Sequence, residues 1–340
     1  MKKTFFLMLF IGLTAISCKK DPVSPPPTPT PIDTTSHNFD WELDTLGIWQ
    51  STATSVWFED PNNIWVAGFF RLTDSTGSNI AHWNGESWSF DAMWDLDLFD
   101  IFGFSSSDIW AVGWWHSGAR ICHWSGFKWT ENKLTNIKPL KALWGAKPNS
   151  IYAVGVDGTI AHYNGSSWQT MNSGTEIHLE NIWGTSNNDI YAVGGDDSRG
   201  IGVLLHYDGI KWNKIYEKFN QPGIPSGYTE TIWGSDSIYY LTCSGGEFVG
   251  GDSSWTAINP PVANTRMESI HGNSKDNFFI VGHFGSIIHW DGNTWYKYPE
   301  FYRKPQGDLL KDVWYSKNNV VVVGTADYYR GIIYRGKRIK

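Results

Sequence analysis

Cysteine is scarce in this chain: Cys18, Cys122 and Cys243 are the three that occur among 340 residues. None of them has the close spacing of a cysteine-ligated metal site, and so few cannot staple a small disulfide scaffold. We expect Cys122 and Cys243 to be small, buried, hydrophobic side chains that do not form a disulfide with each other.

Charge is sparse as well. Charged residues make up 18% of the chain, and the formal net charge is −7 at pH 7. The body of the chain has no basic patch and no arginine-rich run, which argues against nucleic acid as a partner.

Familiar catalytic motifs are missing. The sequence contains no Gly-x-Ser-x-Gly, no His-Glu-x-x-His and no Walker A motif, which mark many hydrolases, zinc peptidases and nucleotide-binding proteins. No window shows the 3.6-residue periodicity of an amphipathic helix, which excludes a helical solenoid. We expect no cofactor and no bound metal, and we favour a function other than catalysis.

Aromatic residues and glycine are abundant, with 21 Trp, 15 Tyr, 18 Phe and 35 Gly. They recur in a segment where an apolar run, a His, an aromatic residue and a Gly turn precede a Trp. The copies are NIAHWNGESW (79–88), RICHWSGFKW (120–129), GTIAHYNGSSW (158–168), VLLHYDGIKW (203–212), SIIHWDGNTW (286–295) and the degraded EFVGGDSSW (247–255). The Asn-Gly and Asp-Gly pairs predict β-hairpins with two-residue turns.

Each hairpin is the second half of a longer repeat that begins with an anchor residue and a strand ending in Gly. The anchors are Trp57, Phe102, Trp144, Trp183, Trp233, His271 and Trp314. They lie 38 to 50 residues apart, and each unit contains four strand-like runs. This period predicts an all-β, seven-bladed β-propeller with four-stranded antiparallel blades.

The last repeat lacks its fourth strand, because the chain reaches Lys340 without a hairpin Trp. The segment FDWELDTL (39–46) precedes the first anchor, and its Trp41 lies 16 residues before Trp57. The corresponding interval in the other repeats is 14 to 21 residues. We therefore predict that residues 39–46 complete blade seven and close the ring, so that the propeller spans 39–340.

The first eighteen residues are typical of a signal peptide, with MKK, the apolar run TFFLMLFIGLTA and small residues before Cys18. Ala15-Ile16-Ser17-Cys18 resembles a bacterial lipobox, which implies lipidation of Cys18 and membrane attachment through the lipid alone. Lys19-Lys20-Asp21 resembles the surface-export signal of Bacteroidota lipoproteins, which implies an outer-membrane protein exposed at the cell surface. Residues 19–38 are a Pro/Thr/Ser-rich linker, which favours an extended tether.

The repeat unit resembles the YAVG…HYDGxxW repeats of bacterial β-propeller lipoproteins, which are similar in general form to WD40, YVTN and BNR-like propellers. The resemblance covers residues 39–340. It implies the fold and leaves the function open, because propellers carry many unrelated functions.

Two residues of the repeat could suggest chemistry, and we interpret both as structural. A His recurs in the third strand as His82, His123, His162, His206 and His289. Equivalent positions in a ring lie at equal radius and cannot converge on one metal ion, so we predict a repeated hydrogen bond instead. The hairpin Trp residues are predicted to pack blade against blade.

The candidate binding surface is the propeller face that carries the blade-to-blade connections and the loops between second and third strands. These loops vary in length and sequence (68–79, 113–120, 194–200, 282–286 and 324–331), whereas the turns at the other end are short and repetitive. The candidate ligand-binding residues are Phe69, Phe70, Arg71, Trp114, Trp115, His116, Asp196, Asp197, Arg199, His283, Phe284, Tyr328, Tyr329 and Arg330. We expect roughly half of the aromatic rings to fold back onto the core.

Three functional classes stay open at this point. A monomeric surface module that binds a glycan or a protein is the favoured one. A deep axial pocket holding two acids within about 10 Å would favour a propeller-type glycosidase or lyase. An apolar patch well above a few hundred Å² would favour a structural subunit of an outer-membrane assembly.

Overall fold

The computed structural model describes residues 37–91, 97–116, 118–218, 227–251, 254–261, 265–303, 307–326 and 329–339. The chain divides between Asp33 and Thr34 into two units, and all of these residues belong to the second. The predicted signal peptide, the predicted lipidation site Cys18 and residues 19–36 of the predicted linker lie outside the described part. No helix within the described ranges is long and apolar enough to cross a membrane.

Seven four-stranded antiparallel sheets form the described unit, and each is a meander whose first strand lies nearest the axis. The first strands are Thr52–Asp60, Leu98–Ser105, Leu140–Lys147, Leu179–Ser186, Thr229–Ser235, Met267–Ser274 and Leu309–Ser316. The second strands are Asn63–Arg71, Asp108–Trp115, Ser150–Gly155, Asp189–Asp196, Ile238–Cys243, Asn277–Gly282 and Asn319–Ala326. The third strands are Gly77–Trp83, Gly118–Trp124, Ile160–Tyr163, Ile201–Tyr207, Gly246–Gly251, Ser286–Trp290 and Arg330–Arg338.

The fourth strands are Trp88–Asp91, Trp129–Leu134, Trp168–Met171, Trp212–Lys218, Ser254–Ile258, Trp295–Lys297 and, for blade seven, Phe39–Leu46. Short 3-10 turns follow three of the second strands, at Val156–Gly158, Asp197–Arg199 and His283–Gly285. The predicted all-β, seven-bladed propeller is confirmed.

The ring closes as predicted. Phe39–Leu46 pairs antiparallel with the third strand of blade seven, from Phe39 opposite Arg338 to Leu46 opposite Gly331. The first strands of blades one and seven also contact each other. The N-terminal strand thus supplies the edge that the C-terminal blade lacks.

The repeated histidines form the hydrogen bond that the sequence predicts. His82 Nε2 lies 2.8 Å from Asn63 Oδ1 at the start of the second strand, and its ring stacks on Trp65 at 3.9 Å. The same pairing recurs in blades two, three, four and six. The imidazole therefore ties the third strand to the second in these five blades.

The fourth-strand tryptophans pack between blades, also as predicted. Trp129 of blade two contacts Trp65 of blade one at a ring distance of 5.7 Å. Its indole N–H donates to Asp91 Oδ2 of blade one at 3.1 Å. Cys122 and Cys243 are buried and form no disulfide, as expected.

The hairpin turns differ from the prediction. Trp83 pairs directly with Trp88, so four residues rather than two connect the strands. Asn84 Oδ1 accepts the N–H groups of Glu86 and Ser87 at 2.9 Å each, and Gly85 has a φ of +95°. The Asn-Gly pair therefore forms a longer turn that the Asn side chain closes.

Candidate functional site

A β-bulge interrupts the first strand of every blade at the same place, three residues before the anchor. A strand normally points successive side chains to opposite faces. The bulge removes this alternation locally, so two consecutive side chains of each blade reach the axis. The seven bulges create two stacked rings of side chains.

These rings line a pocket of about 340 Å³ on the propeller axis. The rim ring consists of Thr54, Phe99, Lys141, Glu180, Glu230, Glu268 and Lys311. The floor ring consists of Ser55, Asp100, Ala142, Asn181, Thr231, Ser269 and Asp312. Tyr228 and Arg266, which precede two of the first strands, complete the wall.

The pocket is blind. Directly below the floor ring lie seven aliphatic side chains and the anchors, which leave a void of only about 50 Å³. The anchors contact one another around and across the axis, with ring distances of 4.0 Å for the neighbours His271–Trp314 and 6.2 Å for Trp183–Trp314. The anchors therefore form an aromatic plug, and the pocket opens only where the first strands begin.

At the pocket floor, two carboxyl groups share one serine. Ser55 Oγ lies 2.6 Å from Asp100 Oδ1 and 2.9 Å from Asp312 Oδ2. Each carboxyl also accepts a backbone N–H of the following blade, Asp100 from Leu143 at 2.8 Å and Asp312 from Val56 at 2.9 Å. Through these bonds Asp100 connects blade two to blade three, and Asp312 connects blade seven to blade one.

The two carboxyls cannot both be ionised without losing a hydrogen bond, because Ser55 has one proton to donate. A single additional proton on one carboxyl lets it donate to Ser55 Oγ, which then donates to the other. Burial, followed by the charge of Asp312, raises the pKa of Asp100 to about 7. Burial also raises the pKa of Asp312. The geometry and the raised pKa values thus both favour a pair that holds one shared proton near neutral pH.

The rim carries mixed charge. Lys141 Nζ lies 3.0 Å from Glu180 Oε2, and Arg266 contacts Glu230 and also Glu268 at 3.4 Å. Burial, and then the neighbouring carboxylates, raise the pKa of Glu230 to about 8 against the opposing effect of Arg266. With Asp100 and Asp312, the wall holds five carboxyls against the three cations Lys141, Arg266 and Lys311.

Two of the residues predicted to bind ligand adjoin this pocket. Trp114, 41% exposed, lies 6.4 Å from the ring of Phe99 in the rim ring. His283 Nε2 lies 2.8 Å from Glu268 Oε1, also in the rim ring. The first strands begin beside the ends of the second strands, so the pocket opens on the face where the second-to-third strand loops lie.

None of the other predicted residues that the structure describes lines the pocket. Phe70 is fully buried against Phe90, so its ring is not available to a ligand. Phe69, Arg71, Trp115 and Phe284 are half-buried, and the exposed ones are His116, Asp197, Arg199, Tyr329 and Arg330. Asp196 is occupied by Arg199 at 2.6 Å. Tyr328 lies outside the described residues.

One exposed aromatic pair combines Tyr329, which the sequence predicts to bind ligand, with Trp49, which it does not. Trp49, in the connection from blade seven to blade one, lies 5.3 Å from Tyr329, and the two rings are 53% and 50% exposed. Beside them Arg71 Nη1 donates to Gln50 Oε1 at 2.5 Å. Trp49 precedes the first anchor and belongs to no repeat position, so only its lack of a repeat role could have marked it.

The carboxyl pair meets the distance criterion for a glycosidase but not its geometry. The two oxygens that face Ser55 are at most about 5.5 Å apart, which suits a retaining enzyme. The Ser55 hydroxyl, however, occupies the space in which the reacting bond would have to lie. Because backbone N–H groups hold both carboxyls as well, this arrangement argues against glycoside cleavage at the floor.

No family model and no curated protein matches this sequence. Solved structures do match its fold. A structure described as YCF48 bound to D1 peptide has a TM-score of 0.67 at 14% identity, over 90% of this chain and 97% of that one. A catalytically inactive virginiamycin B lyase from Staphylococcus aureus with quinupristin has a TM-score of 0.69 at 12% identity, over 89% of this chain and all of that one.

The extracellular domain of a hybrid two-component system from B. thetaiotaomicron is also similar, with a TM-score of 0.63 at 14% identity. The match covers 86% of this chain and 40% of that one. At such low identity these likenesses carry the architecture and not the activity. By architecture, this chain is a seven-bladed β-propeller.

Proposed function

We propose that this chain is a lipid-anchored surface module that binds an extended segment of another protein at the axial pocket and the loops around it. The observation that carries the proposal is the blind, polar pocket on the propeller axis. It opens on the same face as the variable loops, where a rigid scaffold commonly presents binding residues.

The lining of the pocket suits a polypeptide. Carboxyl, ammonium, guanidinium, hydroxyl and amide groups surround a space of about 340 Å³, which admits a long polar side chain or a chain end. Phe99 and Tyr228 are the aromatic residues in the wall, and Arg266 lies over Tyr228 at 5.0 Å. Converging polar groups of this kind fix the orientation of a ligand and provide its specificity.

The comparisons support a binding role without naming the ligand. One similar structure is described with a bound peptide and another as an extracellular domain. The proposed lipid attachment rests on the residues around Cys18, whose order resembles that of a lipoprotein signal. Surface exposure at the outer membrane rests on Lys19-Lys20-Asp21 and the linker.

The test uses the full chain immobilised on beads and exposed in parallel to a peptide array and a glycan array. Thr54→Trp places a large ring at the rim of the pocket, and Thr130→Trp places the same ring on an exposed outer strand as the control. We expect peptides to be retained by the native chain and by Thr130→Trp but not by Thr54→Trp. Equal retention by both variants would contradict binding at the pocket.

A glycan ligand is the second candidate, and the pair Trp49 and Tyr329 favours it. Exposed aromatic faces beside polar groups are suitable platforms for sugar rings. Retention on the glycan array that is lost with Trp49→Ala and unaffected by Thr54→Trp would identify this second function.

A further inference from the structure

We infer that the floor of the axial pocket receives a primary amine, carried by a lysine side chain or by the amino terminus of the bound polypeptide. This inference rests on the proposed function and names the chemical group that the pocket selects. It goes beyond a general preference for polar ligands.

The first reason is the cost of the floor pair. Two carboxyls that face one hydroxyl at the floor of a blind pocket are unfavourable unless a proton or a cation lies between them. In blade four, the same hydrogen bond to the next blade is made without a carboxyl group. There Asn181 Oδ1 accepts the N–H of Ile232 at 3.2 Å, just as Asp100 accepts that of Leu143. Asparagine would therefore connect the blades equally well, so the contact between blades does not by itself explain why Asp100 and Asp312 are acids.

The second reason is a buried carboxylate oxygen in the wall. The Glu230 side chain is 7% exposed and lines the pocket. Its Oε1 forms an ion pair with the Arg266 guanidinium. A carboxyl oxygen can accept more than one hydrogen bond, so a donor inside the pocket could add a second.

The third reason is the charge around the floor. Glu180, Glu230 and Glu268 face the pocket from above, opposed by Lys141, Arg266 and Lys311. Lys141 and Arg266 are already engaged by carboxylates of the rim ring. The rim cations are therefore matched by rim carboxyls, which leaves the floor pair as the place where a further cation can replace the shared proton. An ammonium group carries three donors and so can serve both floor carboxyls at once.

Binding then exchanges one positive charge for another. The ammonium arrives with its three protons, and the proton shared by Asp100 and Asp312 leaves to the solvent. No bond other than that O–H bond is broken. Guanidinium is the poorer fit, because its planar donors match the two oxygens of a single carboxylate rather than two carboxyls across a hydroxyl.

The experiment uses the full chain on beads and three matched pools of random decapeptides. The first pool has free amines, the second is acetylated at the amino terminus, and the third is acetylated at the amino terminus and at lysine. Asp100→Asn/Asp312→Asn removes the floor charges, and Asp100→Asn alone is used if the double variant does not fold. Glu86→Gln, on an exposed hairpin turn, is the control.

We expect the native chain and Glu86→Gln to retain the fully acetylated pool about tenfold less than the free pool. The second pool distinguishes the sources, since retention persists if lysine is the ligand and falls if the amino terminus is. In the floor variants the difference between pools should vanish.

Equal retention of all three pools by the native chain, with loss in Thr54→Trp, would overturn the amine while leaving polypeptide binding intact. Retention that Thr54→Trp does not reduce, or no retention of any pool, would overturn the proposed function as well.

Discussion

Replacing Asp100 by asparagine should stabilise the protein at alkaline pH, although its carboxyl accepts three hydrogen bonds on the pocket floor. The amide oxygen can keep the bond from Leu143. The amide nitrogen can donate to Ser55 Oγ, which is then free to donate to Asp312. The variant thus satisfies the floor without an extra proton.

The expected gain follows from the pKa of Asp100, which is about 7 in the folded protein against an ordinary value of 3.8. A folded-state pKa that is raised means that this group favours folding below pH 3.8 and loses that contribution as the pH rises to 7. At pH 8 the folded state therefore bears a cost of about 4 kcal/mol from this carboxylate. The bond from the Ile101 N–H, worth about 1 kcal/mol, is lost in the variant. The net gain at pH 8 is about 3 kcal/mol.

The assay is thermal unfolding of the native chain and Asp100→Asn between pH 4 and pH 8. At about 2 °C per kcal/mol, the variant should melt about 6 °C higher at pH 8 and within about 2 °C of the native chain at pH 4. The reciprocal change Asn181→Asp, in the same ring, should lower the melting temperature at pH 8 and not at pH 4. If the difference in melting temperature between the native chain and Asp100→Asn does not change with pH, the shared proton is refuted.

Three further predictions concern the closure of the ring, the lipid attachment at Cys18 and the binding loops. A chain that starts at Gly47 should melt many degrees below one that starts at His37 or aggregate, because blade seven would lose its paired edge; equal melting would contradict the closure. Cys18→Ala should no longer fractionate with membranes, and unchanged membrane recovery in fractionation would remove the lipid anchor. Ligand retention on beads should be lost, with a melting curve that barely moves, when alanine replaces Trp114, Trp115, Tyr328 and Tyr329; loss on mutating only the tight-turn face would reverse the assignment of the binding face.

The sequence predicts this fold well because each blade repeats the same physical requirements. The His–Asn or His–Asp bond, the hairpin Trp and the Gly with positive φ are local needs that recur at a fixed period. Even the closure follows from one interval, that between Trp41 and Trp57. Turn length was wrong because the Asn side chain closes a four-residue loop, which the Asn-Gly pair alone does not reveal.

The pocket could not be predicted in the same way. Polar residues such as Asp100, Asp312 and Glu230 stand two and three places before the anchors, which is visible in the sequence. Simple strand alternation would turn one of each consecutive pair away from the axis. Only the β-bulge brings both inward, and a bulge is set by backbone pairing rather than by a residue signature.

The closing strand Phe39–Leu46 also determines how a pulling force applied at His37 would act on the fold. The chain enters the propeller at His37, which Asp291 and Tyr298 hold at 3.0 and 2.9 Å, and Phe39 then lies beside Arg338 at the tight-turn end of blade seven. The axial pocket opens at the opposite end. A pull on the linker against a ligand held in the pocket would therefore run lengthwise along Phe39–Leu46, so that the pairs from Phe39–Arg338 to Leu46–Gly331 resist it together in shear instead of opening one after another. The strand that seals the ring would therefore also be the strand that bears a force applied at His37.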